Sequence, residues 1–286
     1  MRMTIGARLF DGPGPFLMGV VNVTPDSFSD GGRFLEPDAA VAQAIRLAEE
    51  GADLVDVGGE STRPGAPAVT AAVEIGRVVP VVERLRARGF PLPISVDTSK
   101  GAVARAALAA GADLVNDVTA LSDPDLARAV AAAGVPVVLM HLRGTPADMQ
   151  SRAVYGDVVA DVARELEAAL ARAVAAGVAR DRIILDPGVG FAKTAEQSIE
   201  LLARVAELHA LGRPLLVGPS RKSFIGKITG AGAGDRVPGT LAAVTACVLG
   251  GVELLRVHDV GPARQAAAVA AALRDTRDRA SGAGAR

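Results

Sequence analysis

The sequence has one cysteine, one tyrosine and no tryptophan among its 286 residues. Cys247 cannot form an intramolecular disulfide and lies in an apolar run, so we interpret it as a small core residue in a reducing compartment. No apolar run approaches the roughly 20 residues of a membrane span, and the amino-terminal residues lack an apolar stretch of signal-peptide length. These absences predict a cytoplasmic protein with no membrane partner.

The sequence also lacks an excess of charge of either sign. Its formal net charge is −1, which gives no general attraction to nucleic acid, so any anion site must be a local arrangement of Arg, Lys and backbone N–H groups. The three histidines form no His-Glu-x-x-His segment and no Cys/His cluster, which argues against a structural zinc site. We therefore expect neither a nucleic-acid partner nor a zinc ion.

Three short segments begin like known functional loops and then depart from them. Gly188-Val-Gly-Phe-Ala-Lys193 has lysine at the third glycine position of a dinucleotide-binding loop. Ala192-Lys-Thr194 lacks both glycines of a phosphate-binding P-loop, and Gly218-Pro-Ser-Arg-Lys222 has lysine where a nucleophile elbow needs glycine. No single local motif therefore defines the function.

An internal repeat is the strongest architectural signal. Gly51-Ala-Asp-Leu-Val-Asp56 and Gly111-Ala-Asp-Leu-Val-Asn116 are near copies, and looser versions precede five other apolar runs. In each case a helix stops at a glycine suited to the left-handed position, and an apolar strand follows that ends in a polar residue. With the first strand, over 16–21, this gives about eight βα units, the number that closes a (β/α)8 TIM barrel.

The repeat predicts an α/β chain with a single barrel domain over residues 1–280. A short amino-terminal hairpin over 1–15 caps the barrel, and residues 281–286 form a flexible tail. The alternative is an open doubly wound sheet, which binds its ligand at one switch point. Because nearly every strand of this chain ends in a polar residue, a barrel, in which all strand ends face one mouth, explains the pattern better.

Polar residues at the predicted strand ends form a candidate site. Asp97, Asn116 and Asp186 could each cap a helix, but together they can hydrogen-bond the edge of a flat, nitrogen-rich heterocycle. Lys222 and Arg256 could neutralise the site and cover such a ring. His141, at another strand end, we interpret as structural.

A second group of strand-end residues suits an anion such as a diphosphate. It comprises Asn22, Thr62, Arg63, Arg256 and His258, and the carboxamide of Asn22 could also bind Mg²⁺. A packing role for His258 remains an alternative. Ser223 lies near a predicted helix start, where N–H groups favour a carboxylate or phosphate, and a plain N-cap is its alternative role.

With these residues assembled, the sequence closely resembles the dihydropteroate synthase family of folate biosynthesis. The matching segments are Met18–Gly32, Asp56–Gly65, Ser95–Thr98, Asn116–Val118, Asp186–Phe191, Ser220–Ser223 and Arg256–Val260. They occur in order at matching barrel positions. The resemblance implies a transferase that condenses 6-hydroxymethyl-7,8-dihydropterin diphosphate with p-aminobenzoate to give 7,8-dihydropteroate and pyrophosphate.

The resemblance also implies a role for each matched residue. The pterin would be held by Asp97, Asn116, Asp186 and Lys222, with Arg256 over its face. The diphosphate would be held by Asn22, Thr62, Arg63, Arg256 and His258, with Asn22 as the ligand of a Mg²⁺ cofactor. The p-aminobenzoate site would be lined by Pro64, Phe191, Lys222 and Ser223. The residues expected to act in catalysis are Asn22, Asp97, Lys222, Arg256 and His258.

No nucleophilic side chain is apparent at these positions, and a dissociative mechanism needs none. Pyrophosphate would leave first, the electron-rich dihydropterin would stabilise the carbocation, and the aromatic amine would then attack. The loops over 23–36 and 59–69 would act as lids that exclude water. The sequence departs from the family at Ala192, at Pro219 and at Thr119-Ala120-Leu121, and we interpret these departures as minor.

Two other functions stay open at this point. One is a paralogue that binds pterin without turnover, and the other is a methyltransferase domain that binds methyltetrahydrofolate in a similar barrel. The latter would not need Ser220-Arg-Lys222 or the diphosphate group. A separate expectation concerns assembly: the predicted helix over 238–250 is apolar nearly all round, which predicts a homodimer through it and its neighbour.

Overall fold

The computed structural model describes residues 1–24, 37–62, 66 and 68–281. An antiparallel hairpin of β1 (Arg2–Ile5) and β2 (Arg8–Asp11) comes first. The remaining strands are β3 (Phe16–Asn22), β4 (Leu54–Gly58), β5 (Ile94–Asp97), β6 (Leu114–Asp117), β7 (Val137–Met140), β8 (Ile183–Asp186), β9 (Leu216–Val217) and β10 (Leu254–Val257). The helices are α1 (Pro37–Glu49), α2 (Ala71–Ala87), α3 (Gly101–Ala109), α4 (Pro124–Ala133), α5 (Val158–Ala175), α6 (Ala195–Ala203), α7 (Ser223–Thr229), α8 (Val237–Leu249) and α9 (Val260–Ala280).

Strands β3 to β10 form a closed parallel barrel. Consecutive strands pair from β3 to β8, and β10 lies between β3 and β9. A parallel bridge between Leu185 and Leu215 joins the two ends of the sheet, and the N–H of Leu185 donates to the carbonyl of Pro214 at 2.9 Å. Because the sheet closes on itself, the predicted (β/α)8 barrel with its hairpin is confirmed and the open-sheet alternative is wrong.

The Gly-Ala-Asp repeat joins neighbouring strands at the amino end of the barrel. Gly51 has φ +99°, the left-handed conformation that ends α1 and that favours glycine. Two residues later, the Asp53 carboxylate accepts the N–H of Leu17, on the adjacent strand, at 2.8 Å. Arg264 of α9 binds both the Asp53 carboxylate and the Gly51 carbonyl. The repeat therefore connects two strands and an outer helix.

The second copy of the repeat makes the same contacts. Asp113 accepts the N–H of Ile94 at 2.8 Å, and Arg86 of α2 binds both Asp113 and the carbonyl of Gly111. Gly111 again has a left-handed φ, of +110°. The periodicity seen in the sequence thus encodes a recurring connection at the base of the barrel, away from the polar strand ends.

The barrel interior changes from apolar to polar along its axis. The layer at the amino ends of the strands packs against Met3, Ile5 and Phe10 of the hairpin, and it consists of Met18, Leu54, Leu114, Val138, Ile184, Leu216 and Leu254. Side chains of a strand alternate between its two faces, so the next inward positions lie two residues further on. Four of those positions hold Asp56, Asn116, Asp186 and Arg256. The hairpin closes one end of the barrel, and the polar layer faces the other.

None of the helices in the described part of the chain is long and apolar enough to cross a bilayer.

Candidate active site

Arg256 connects three strands inside the barrel mouth. Its Nε donates to Oδ2 of Asp56 at 2.6 Å, and its Nη2 donates to Oδ2 of Asp97 at 2.8 Å. Asn116 donates from Nδ2 to the same Asp56 oxygen at 2.9 Å. The structure therefore brings together Asp97, Asn116 and Arg256, three of the residues expected to bind the pterin.

The structure adds Asp56 to the site, a residue to which sequence reasoning assigned no role. Asp56 is completely buried, and its Oδ1 has no hydrogen-bond partner among the described residues. The same holds for Oγ of Ser95, its register partner on β5. Alternation along β4 from the inward-facing Leu54 would have located Asp56. Two unpaired polar atoms below the mouth fit a site that receives a polar ligand, because buried polar groups are normally paired.

Two carboxyl groups of the site are held in unfavourable surroundings. Burial raises the pKa of Asp97 to about 7, against the lowering effect of Arg256. Burial also raises the pKa of Asp186, whose Oδ1 accepts the N–H of Gly188 at 2.7 Å. Buried carboxyl groups with raised pKa values occur at functional sites more often than at purely structural positions.

Lys222 and Phe191 lie against each other beside this polar layer. The Nζ of Lys222 lies 4.0 Å from the centre of the Phe191 ring, and burial lowers the pKa of this lysine to about 8. Gly190 makes the approach possible: its φ is +81°, and a Cβ there would lie 3.3 Å from Cδ of Lys222. Two residues assigned to the p-aminobenzoate site are thus in contact.

Ser223 is the first residue of α7, and Lys222 occupies the N-cap without a side-chain hydrogen bond to the helix. The alternative that Ser223 itself is the N-cap is therefore wrong. The first N–H groups of α7 have no side-chain cap, which leaves them available to a carboxylate.

His258 is oriented by Ser220. The backbone N–H of His258 donates to Oγ of Ser220 at 3.2 Å, and Oγ lies 2.9 Å from Nδ1 of the imidazole. Burial, followed by the charge of Arg256, lowers the pKa of His258 to about 4. A neutral imidazole that accepts the Ser220 hydroxyl proton at Nδ1 carries its own proton on Nε2, where it can donate to an anion.

This environment predicts an acid-sensitive stability for the ligand-free protein. The imidazole of His258 takes up a proton near its ordinary pKa of 6.5 when the chain is unfolded, but only near pH 4 when it is folded. The unfolded state binds more protons between these values, so His258 lowers the free energy of unfolding by up to about 3 kcal/mol as the pH falls from 6.5 to 4.

Urea unfolding of the wild type and of His258→Gln should therefore diverge over that pH window, with the variant losing less stability. An NMR titration provides the direct check. Imidazole signals of His258 that titrate near pH 6.5 would contradict the assignment.

A lysine and two glutamates connect the described ends of the second predicted lid loop. Lys100 donates to Glu60 and to Glu74 at 2.6 Å each, and Glu60 also accepts the N–H of Val69 at 2.9 Å. Glu74 is completely buried. Glu60 lies within the matched segment Asp56–Gly65, whereas sequence reasoning missed Lys100, the N-cap of α3, and Glu74, which lies on α2.

Part of the predicted site lies outside the described residues. Thr62 is described and half-buried, whereas Arg63 and Pro64 are not described. The same applies to residues 25–36 of the first predicted lid, to 65 and 67 of the second, and to 282–286 of the predicted tail. The roles expected for these residues stay predictions.

Asn22 ends β3 at the rim of the barrel and pairs in register with Gly58. Its carboxamide makes no hydrogen bond to another described residue, so its oxygen is available as a ligand. No group of three or more His, Cys, Asp or Glu that could hold a metal occurs within the described chain. The residues fit Mg²⁺ bound by one side-chain oxygen together with ligands from a phosphate substrate, a common arrangement for this ion.

Two of the departures from the family fall on strained backbone. Ala192 has φ +49°, and Ala120 and Leu121 have φ +52° and +54°. The left-handed region costs a residue with a Cβ about 1 to 2 kcal/mol. These departures therefore have a conformational consequence that their sequence alone did not reveal.

Replacing Ala192 with glycine should leave the free energy of unfolding within about 1 kcal/mol of wild type, because relief of strain offsets the greater freedom of glycine in the unfolded chain. Ala168, exposed in the middle of α5, is the matched control. Ala168→Gly relieves no strain and should lose about 1 kcal/mol. Equal losses in the two variants, measured by urea unfolding, would contradict the argument.

Comparison with known proteins shows which family the chain belongs to. Residues 18–258 match the pterin binding enzyme family. Dihydropteroate synthase from Synechocystis is 46% identical over 274 residues, which cover 95% of this chain and 94% of the relative. The chain belongs to the dihydropteroate synthase family. The enzyme class expected from the sequence, a transferase of folate synthesis, is thereby confirmed.

Solved structures of the dihydropteroate synthase family share the fold along almost the entire chain. Xanthomonas albilineans dihydropteroate synthase with 4-aminobenzoic acid has a TM-score of 0.90 and 49% identity, covering 96% of this chain and 98% of the other. The same enzyme in complex with 7,8-dihydropteroate has a TM-score of 0.87 and 46% identity, covering 96% and 99%. The dihydropteroate synthase barrel thus extends well beyond the matched motifs.

Proposed function

We propose that this chain joins p-aminobenzoate to 6-hydroxymethyl-7,8-dihydropterin diphosphate and releases pyrophosphate. The observation that carries the proposal is the polar layer at the barrel mouth, where Arg256 bridges Asp56 and Asp97 next to Asn116. Carboxylate and carboxamide groups at the inner ends of neighbouring strands match the in-plane donors of a pterin. The relatives described above bind p-aminobenzoate and 7,8-dihydropteroate.

The pterin site is built from acceptors held by the strands. Asp186 uses one oxygen to accept the Gly188 N–H, which fixes the carboxylate and leaves the other oxygen for the pterin edge. Asn116 is held by Asp56 through its Nδ2, so its oxygen is oriented as an acceptor. On substrate binding, Nη2 of Arg256 would turn from Asp97 to the ring face or to the diphosphate, while Nε stays bound to Asp56. These groups would orient the substrate before any bond breaks.

The leaving group would be stabilised by donors on the opposite side of the mouth. Arg256 supplies a positive charge, because its two carboxylate partners keep the guanidinium protonated. Neutral His258 supplies an N–H from Nε2. Thr62 would add a hydroxyl. A Mg²⁺ ion bound at Asn22 would supply further neutralisation of the pyrophosphate charge. Donors placed where charge develops lower the barrier to departure.

The bond changes then follow without a protein nucleophile. The bond between the methylene carbon and the diphosphate oxygen breaks, and pyrophosphate leaves with the electron pair. The dihydropterin ring delocalises the positive charge, the amine nitrogen of p-aminobenzoate forms the new C–N bond, and its proton is released. Phe191 and Lys222 would hold the aromatic ring, with the start of α7 at Ser223 facing the carboxylate.

A coupled assay tests this function. With both substrates and Mg²⁺, we expect steady formation of 7,8-dihydropteroate with one pyrophosphate per product. Omission of p-aminobenzoate or chelation of the metal should abolish steady turnover. Tight pterin binding without product would instead favour the non-catalytic paralogue and would overturn the proposal.

We also propose that the chain forms a homodimer through α8 and α9. Leu241 and Thr245 of α8 line a shallow groove with Pro262 of α9. Val269 and Leu273 of α9 are 63% and 57% exposed, although they are large and apolar. A contiguous apolar surface of this kind is typical of an interface between subunits.

Light scattering should therefore give a dimer for the wild type and a monomer for Val269→Glu/Leu273→Glu at the same concentration. Val154 is 76% exposed on a different part of the surface. The control Val154→Glu should remain dimeric. A monomeric wild type would contradict the proposal.

A further inference from the structure

Lys193 is a buried lysine that the mechanism above does not use. It is only 3% exposed, and it lies two residues after Phe191. Its Nζ lies 3.0 Å from Nδ1 of His141, 3.1 Å from the carbonyl of Gly188 and 3.0 Å from the carbonyl of Phe191. Three acceptors match the three protons of an ammonium group. The hydrogen-bonding capacity of Lys193 is therefore fully used, which is how a buried lysine can be tolerated.

His141 and Glu165 hold Lys193 from the side opposite the turn. Since Nδ1 of His141 accepts from Lys193, the imidazole proton lies on Nε2, which donates to Glu165 at 2.9 Å. Burial lowers the pKa of His141, and the hydrogen bond from His141 contributes most to lowering the pKa of Glu165 to about 2. A neutral histidine thus connects a fixed carboxylate to the lysine. Arg143 completes the set by pairing with Glu165.

Opposing effects act on the pKa of Lys193. Burial lowers its pKa to about 7, while Asp186 acts in the opposite direction. The two backbone carbonyls and His141 favour the protonated form, because each of them accepts a hydrogen bond from the ammonium group. The ammonium is thus held in place by the same carbonyl groups that it positions.

The backbone conformation of the turn that Lys193 holds is tightly restricted. Gly188 has φ +66°, and a Cβ there would lie 2.1 Å from the carbonyl oxygen of His141. Ala192 closes the turn at φ +49°, and its carbonyl accepts the Tyr155 hydroxyl at 2.9 Å. A turn with several left-handed residues persists only where surrounding contacts fix it. Lys193 supplies two of those contacts.

We propose that Lys193 is a positioning residue for p-aminobenzoate recognition: by binding the carbonyls of Gly188 and Phe191 it fixes the Phe191 ring against Lys222. The inference rests on the proposed function, which places Phe191 and Lys222 in that site. Lys193 is buried, and its Nζ is engaged by His141 and two backbone carbonyls, so it would act only through the turn. The pterin contact of Asp186 depends on Lys193 less, because β8 holds the backbone of Asp186 and its carboxylate is held by the Gly188 N–H, whereas Lys193 binds the Gly188 carbonyl.

The test is Lys193→Met, which keeps the length of the side chain and removes all three donors. We expect the KM for p-aminobenzoate to rise about ten-fold or more, because displacements of about 1 Å in a binding site have large effects. The KM for the dihydropterin diphosphate should change less than about three-fold. Lys193→Gln, which retains two N–H donors, should recover part of the p-aminobenzoate affinity.

Lys227, an exposed lysine of α7, is the matched control, and Lys227→Met should leave both KM values unchanged. Lowered thermal stability of Lys193→Met with both KM values at the wild-type level would assign the lysine to the fold alone and overturn the inference. Failure of both Lys193 variants to fold would do the same. Absence of product from the wild type would refute the proposed function itself, and the inference with it.

Discussion

Replacing Arg256 with lysine is expected to lower kcat/KM by about 10²- to 10³-fold, as removal of a preorganised donor to a developing charge does in other enzymes. The guanidinium reaches Asp56 through Nε at 2.6 Å and Asp97 through Nη2 at 2.8 Å. A lysine at the same position is a point charge, and it can neither span both carboxylates nor lie flat over a ring. The loss should appear in kcat as well as in KM, because in the proposed mechanism the same group faces the leaving pyrophosphate.

Arg264 provides a matched control at the other end of the barrel. It also binds a buried carboxylate, that of Asp53, together with the Gly51 carbonyl. Arg264→Lys should lose about 1 to 3 kcal/mol of stability and keep near-normal turnover. Steady-state kinetics combined with urea unfolding separates the two effects. Equal activity losses in the two variants, or wild-type turnover by Arg256→Lys, would contradict the assigned role.

The arrangement of strands was predictable because its signal is local and repeated. Each unit carries its own glycine stop and its own apolar run, so an error in predicting one element does not change the prediction of the others. The copies around Asp53 and Asp113 also make equivalent contacts in the structure, since both carboxylates accept a neighbouring strand's N–H. Residues at strand ends could be selected for the same reason: parallel strands of a barrel deliver their ends to one mouth.

Partnerships within the site were not predictable from the sequence. Asp56 and Arg256 are 200 positions apart, and nothing local to either residue identifies the other. The role proposed for Lys193 was hidden because two of its three partners are backbone carbonyls, which any sequence supplies, and the third, His141, lies 52 positions away in the chain. Ala192 and Leu121 looked like small departures, whereas each adopts a left-handed φ. Such features depend on the tertiary structure and cannot be inferred from the residue type.

Replacing Asp186 with asparagine tests the proposed pterin site directly. The change preserves the size of the side chain and one acceptor for the Gly188 N–H, but it converts the outer acceptor into a donor. A donor that faces the N–H groups of a pterin leaves buried polar atoms unpaired on both sides. We expect the affinity for the dihydropterin diphosphate to fall about 10²-fold or more, measured by calorimetry, with a comparable loss in kcat/KM.

The stability of the same variant should move in the opposite direction. Because burial raises the pKa of Asp186, the ionised carboxylate at neutral pH is less stable in the folded chain than in the unfolded chain. A neutral asparagine removes that cost, so Asp186→Asn should unfold at equal or higher urea concentration than the wild type. Asp181→Asn, at an exposed position before β8, should change neither quantity. Lost pterin affinity with preserved stability would identify Asp186 as a residue kept for binding at the expense of the fold, whereas wild-type affinity in Asp186→Asn would remove it from the site.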